Sequence, residues 1–142
     1  MYEDTEFAYR VFDRCNIVAC IGKAKYNYAI REGSTMDRAK KNLSIDAVLI
    51  YNEMFDFIEE NYPELLDLVL LKLANSCMGV LNLLSEEINF NEVVEKYYKV
   101  TEILNGKYKK ILKAKEYPHT VKLLLLATKI HPLLYKKIIK MI

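Results

Sequence analysis

Tryptophan is missing from this chain, and glycine and proline are scarce, with four and three residues in 142. So few chain-turning residues speak against a turn-rich all-β fold and favour long helices. Histidine is limited to two positions, His119 and His131. Each stands beside a proline (Pro118, Pro132) with no second ligand at metal spacing, so helix-end or capping positions are expected rather than a zinc site. The three cysteines, Cys15, Cys20 and Cys77, are odd in number and form no C-x-x-C pair. A disulfide framework is therefore not expected, a reducing compartment is, and the thiols read as buried core residues. No basic segment precedes an apolar stretch at the N-terminus, so no secretory signal is expected. Gly-rich phosphate loops of the G-x-G-x-x-G and P-loop kinds are also absent.

What is present suits one domain. The hydrophobic fraction is 52% and the charged fraction 28%, ordinary values for a chain long enough to bury a core. Eleven tyrosines mean that aromatic packing rests on rings whose polar ends need a partner or water. The most apolar window, Leu65 to Leu84, has about the length of a membrane span. Asp67, Lys72, Asn75 and Ser76 interrupt it, which makes a central buried helix the expected role.

Net charge is only +2, but it is unevenly placed. From Lys96 onward twelve lysines face two acids, Glu102 and Glu116, a balance of +10, whereas the first 95 residues hold nine basic and seventeen acidic side chains, a balance of −8. A basic tail after an acidic body suggests an anionic partner such as a membrane surface or nucleic acid. Solvated helix faces in a lysine-rich chain are the competing explanation. Tyr97, Tyr98 and Tyr108 stand among lysines but match no nucleic-acid reading motif, so no nucleic-acid partner is expected.

Hydrophobic periodicity divides the chain into a mixed edge and a helical body. Asp4 to Arg14 place Phe7, Val11 and Phe12 at helical spacing. Ile17 to Ile21 and Lys25 to Ile30 are short β-prone runs around Gly22-Lys23, which fits a hairpin. Arg31 to Thr35 reads as a loop, with Gly33 free to take positive φ. From about Met36 the pattern is helical. One apolar stripe ends near Tyr62, and Pro63 opens the next helix. Asn89 with Glu92 reads as a capping box, Gly106 weakens the following run, and Pro118 and Pro132 open the last two helices. The expected fold is mainly α: a bundle of about five to six helices, preceded by a short N-terminal helix and a β-hairpin-like element. Residues 1–35 form the edge and 36–142 the helical domain.

The segments Tyr2-Glu3-Asp4-Thr5-Glu6-Phe7-Ala8-Tyr9 and Tyr26-Asn27-Tyr28, with Arg31-Glu32-Gly33-Ser34 after them, resemble the end of the catalytic domain in bacterial family 2 glycosyltransferases. Those enzymes have a GT-A fold and commonly show an acidic "ED" pair at a helix start, a strand pair, a "YYYR" strand and an "R-x-G-S" loop. Helices like Phe57 to Leu65 (F-I-E-E-N-Y-P-E-L) often follow. The resemblance spans roughly residues 2–84 and weakens beyond.

That resemblance implies a C-terminal portion of a sugar transferase, which moves a sugar from a nucleotide-sugar donor to a saccharide or lipid-linked acceptor. It matches Asp4 to the base that deprotonates the acceptor hydroxyl, and Glu3 to a neighbouring acceptor-site carboxylate. Arg31 and Ser34 would face the nucleotide diphosphate. Bland readings stand beside these: acidic residues favour a helix start, and Arg31 pairs readily with Glu32 in a domain-edge turn. The donor-binding half and the D-x-D motif, with their divalent metal (Mg or Mn), have no counterpart in this sequence. The chain alone is therefore expected to be inactive, with no cofactor of its own. The expected setting is cytoplasmic, peripheral at the inner membrane face, with a homodimer as one way to cover an orphaned edge. The alternative is a non-enzymatic helical module that binds a protein or a membrane surface.

Overall fold

Seven α-helices carry the regular structure among the described residues, which are 3–23, 43–114, 117 and 119–139 of the computed structural model. In chain order they are α1 (Glu3–Asp13), α2 (Asp46–Asn61), α3 (Leu66–Glu86), α4 (Phe90–Gly106), α5 (Tyr108–Lys113), α6 (His119–Ile130) and α7 (Pro132–Ile139), with a single 3₁₀ turn at Pro63–Leu65 before α3. The mainly helical class expected from the sequence is therefore what forms.

Each body helix follows its apolar stripe. On α4, Val93, Tyr97, Val100 and Leu104 recur at steps of three and four and are buried, as one face of a 3.6-residue helix requires. On α3, Leu70, Leu73, Cys77, Leu81 and Leu84 do the same. That helix is long and apolar enough to cross a membrane by length and composition. Here it forms the middle of the bundle, packed against α2, α4, α5 and α7. Its polar Asp67, Lys72 and Asn75 lie exposed, off the buried stripe.

Breaks fall where backbone chemistry places them. Tyr62 leaves the helical path at the end of α2, and Pro63 starts the 3₁₀ turn, where its missing N–H costs nothing. Gly106 ends α4, and the chain resumes as α5 two residues later. Pro132 occupies the first position of α7, and His131 Nδ1 accepts the Leu133 N–H at 3.2 Å. His131 is thus a helix cap.

Three buried phenols fasten the helices. Tyr117 donates to the Leu70 carbonyl at 2.8 Å, Tyr97 to that of Pro132 at 3.0 Å, and Tyr135 to Asn82 Oδ1 at 2.7 Å. Burial pushes all three phenols above their ordinary value, Tyr135 to about 12, because the charged form has lost its water. The Ser85 hydroxyl, beside Tyr97, pulls that phenol the other way, although it completes no hydrogen bond by geometry.

The segregated charge is partly neutralised within the molecule. Lys107 reaches Asp56 at 2.5 Å, and Lys110 pairs with Glu59, so α5 and its approach lie against the acidic side of α2. Lys107 also sits 4.2 Å from the centre of the Phe55 ring, within cation–π reach. Lys122 donates to the carbonyls of Leu112 (2.9 Å) and Ala114 (2.7 Å), closing the C-terminal end of α5. A lysine is well suited to that place because the last carbonyls of a helix have no partner within it.

Three expectations need correction. The hairpin is not shown: Ile17 to Ile21 carries no strand, and the 25–30 run lies outside the described residues. A β-prone run becomes a strand only with a partner to complete its ladder, so propensity alone did not decide it. Asn89 does occupy the N-cap of α4, but its side chain makes no capping bond. Its own N–H is taken by Glu87 Oε1 at 3.3 Å, so the acid two residues before replaces Glu92 in that role. Of the three thiols only Cys77 is buried, while Cys15 and Cys20 are exposed, because the segment that carries them runs over the surface.

Candidate functional site

Helix α1 holds the acidic pair and, among the described residues, packs on the body through α2. Its acidic N-terminus and Arg10 in the last turn suit the helix dipole, and Arg10 pairs with Glu6 at 3.3 Å, a stabilising i,i+4 contact. Tyr9 is buried, its ring centre 5.4 Å from that of Phe57 on α2. The Tyr62 hydroxyl, at the end of α2, donates to Asp13 Oδ1 at 2.7 Å. Desolvation raises the Tyr9 phenol pKa, with Glu53 and Glu6 adding to it and Arg10 opposing. That of Tyr62 rises chiefly because of its bond to Asp13.

The opposite side of α1 is open. At 100° per residue, Asp4, Phe7 and Val11 fall within one narrow stripe, facing away from Tyr9 and Asp13. Phe7 is 70% exposed and Val11 and Phe12 are exposed too. The run continues past the helix, where Ile17 (87%), Val18 and Ile21 are all exposed. Between this stripe and α2 lies a groove of about 360 Å³ lined by Phe7, Arg10, Val11, Asp13, Arg14 and Phe57. It combines an apolar floor with two guanidinium groups and one carboxylate.

Asp4 is exposed in the first turn of α1, and its Oδ1 accepts the Thr5 N–H at 2.9 Å. Glu3 begins the helix, but its side chain lies outside what is described, as do Arg31 and Ser34 entirely. Of the four residues expected at a sugar-transfer site, Asp4 alone is thus placed, at the head of the open stripe. Among the described residues no group of three His, Cys, Asp or Glu side chains is arranged to hold a metal ion.

Reading the sequence did not single out Arg10, Arg14 or Asp13, which line the groove. Nor did it single out the Tyr9–Phe57 and Tyr62–Asp13 contacts that orient α1. One signal was available: Tyr9 and Asp13 stand at i,i+4 spacing on the face opposite the Phe7–Val11 pair. Comparison with known protein families, curated proteins and solved structures finds no match for this chain.

Proposed function

We propose that this chain is the C-terminal portion of a family 2 sugar transferase, with α1 an edge of its catalytic domain and the helical body an appended domain. The supporting observation is the open stripe on α1. Helices seldom leave a run of large apolar groups in water unless another surface covers it, and this run begins at the carboxylate that the resemblance matches to the base. In the whole enzyme the cover would be the donor-binding half.

The chemistry asked of Asp4 is simple. As an acceptor hydroxyl attacks the anomeric carbon and the bond to the nucleotide diphosphate breaks, the carboxylate takes the hydroxyl proton. An exposed carboxylate whose bond comes from its own helix is free to do this. Arg31 and Ser34 would stabilise the departing diphosphate. The divalent metal (Mg or Mn) that neutralises that charge belongs to the parent's D-x-D half.

The test joins the chain to the coding sequence immediately upstream and measures transfer from nucleotide sugars. The joined protein is expected to transfer sugar, the 142 residues alone to be inactive, and Asp4→Asn to lower turnover by about 10²–10⁴-fold. An upstream sequence without a nucleotide-binding half, or an Asp4→Asn enzyme as fast as its parent, would overturn the reading.

A second reading, a non-enzymatic helical interaction module, is favoured by one observation: Tyr9 is buried against α2, so α1 is anchored to the body. On that reading the stripe is a partner's landing site, and the Asp4 substitution changes binding rather than turnover.

A further inference from the structure

A second open apolar stripe lies far along the chain, on α6. Leu123, Leu126 and Ile130 recur at i, i+3 and i+7 on one face and are 67%, 39% and 70% exposed. Leu125 and Thr128, on the other side of the same helix, are buried. The stripe runs about 10 Å along the helix axis. Helix α5 lies alongside: Lys122 of α6 reaches the Leu112 and Ala114 carbonyls, and Lys129 stands over the Tyr108 ring. Lys109, Leu112 and Lys113 of that neighbouring helix are exposed.

The charge on these helices has one sign. None of α5, α6 and α7 carries an aspartate or glutamate, while lysines occur on all three. Lys110 and Lys122 are used inside the fold, but Lys109, Lys113, Lys129 and Lys137 remain exposed.

We propose that the α5–α6 face, with Leu123, Leu126 and Ile130 on α6 beside Lys129 and the lysines of α5, Lys109 and Lys113, is a docking surface for an anionic lipid bilayer. Aliphatic side chains set among cations are what an interfacial helix presents: the apolar groups enter the acyl boundary and the ammonium groups stay with the headgroups. Lysine's compact charge on a flexible stem suits a fluid layer of anionic groups, whereas fixed anions in a protein or duplex favour arginine's planar fork. Leucine and isoleucine offer a nucleic acid nothing to stack on. The surface does not depend on the sugar-transfer reading.

Co-sedimentation of the full chain with phosphatidylcholine vesicles, and with vesicles containing one quarter phosphatidylglycerol, tests this directly. Binding is expected to the anionic vesicles, weakening as salt rises, and not to the neutral ones. Lys109→Gln, Lys113→Gln and Lys129→Gln together should weaken it on the order of a hundredfold, about fivefold for each lysine. Leu123→Gln with Ile130→Gln should weaken it separately, with an unchanged circular dichroism spectrum because both side chains are already exposed. The proposal fails if neutral vesicles bind equally, if neither variant weakens binding, if the protein pellets equally without lipid, or if it binds duplex nucleic acid and no vesicle.

Discussion

Tyr135, fully buried on α7, donates its phenolic hydrogen to Asn82 Oδ1 of α3 at 2.7 Å, tying together residues 53 apart in sequence. Removing that hydroxyl leaves the partly buried amide oxygen without its donor. Tyr135→Phe should therefore cost about 1–2 kcal/mol, read as a lower midpoint in urea unfolding at unchanged m-value. Asn82→Ala in the same background should then cost less than it does alone, since the bond is already gone. Equal costs in both backgrounds would show that the bond adds nothing.

Alkaline pH should unfold the bundle. Burial raises the Cys77 thiol from its ordinary 9.0 to about 12 and the Tyr135 phenol from 10.0 to about 12, and it moves Tyr97 and Tyr117 the same way. A group whose pKa is higher folded than unfolded binds more protons in the folded state over that interval. Its contribution is complete below the unfolded value and is lost as pH rises toward the folded one. Thermal midpoints should hold steady up to about pH 9 and then fall progressively, with the tyrosinate absorbance of the buried phenols, though not of the exposed ones, appearing in step with loss of helical signal. A flat profile to pH 11 would contradict the burial of these groups.

Thiol chemistry gives a simpler check of where α1 leads. Cys15 and Cys20 are exposed and Cys77 is buried. An aromatic disulfide reagent at neutral pH should therefore label two thiols quickly and the third only after denaturant is added. One fast thiol would mean that the segment after α1 is covered, as packing into the core requires.

The helices of the body were legible because one strong signal, the apolar stripe at 3.6-residue spacing, determines both their existence and their buried face. Val93, Tyr97, Val100 and Leu104 illustrate it. Breaks at Pro63, Gly106 and Pro132 were legible for a local reason, since proline and glycine act on the backbone where they stand. Ile17 to Ile21 misled because a β-prone composition reports what a segment tolerates, while the strand depends on a partner elsewhere. The Glu87 contact at Asn89 was missed because a capping box looks forward from the cap. The orientation of α1 was not legible: Tyr62 and Asp13 are separated by 49 residues, and no local pattern announces such a pair. At the candidate site, the residue types suggested Asp4 and its neighbours, but only the fold showed that Asp4, Phe7 and Val11 lie on an uncovered side.

The pairing of Lys107 with Asp56, across 51 residues, also sets an order of events. On the ribosome the acidic α2 emerges well before the lysines that oppose it, by several seconds at about 5–20 residues per second. During that interval the carboxylates of α2 have no counter-charge from α5, and the apolar face of α3 has nothing from α4 or α7 to cover it. The N-terminal half is thus a poor candidate for early independent folding. The bundle closes late, once its basic end has been made.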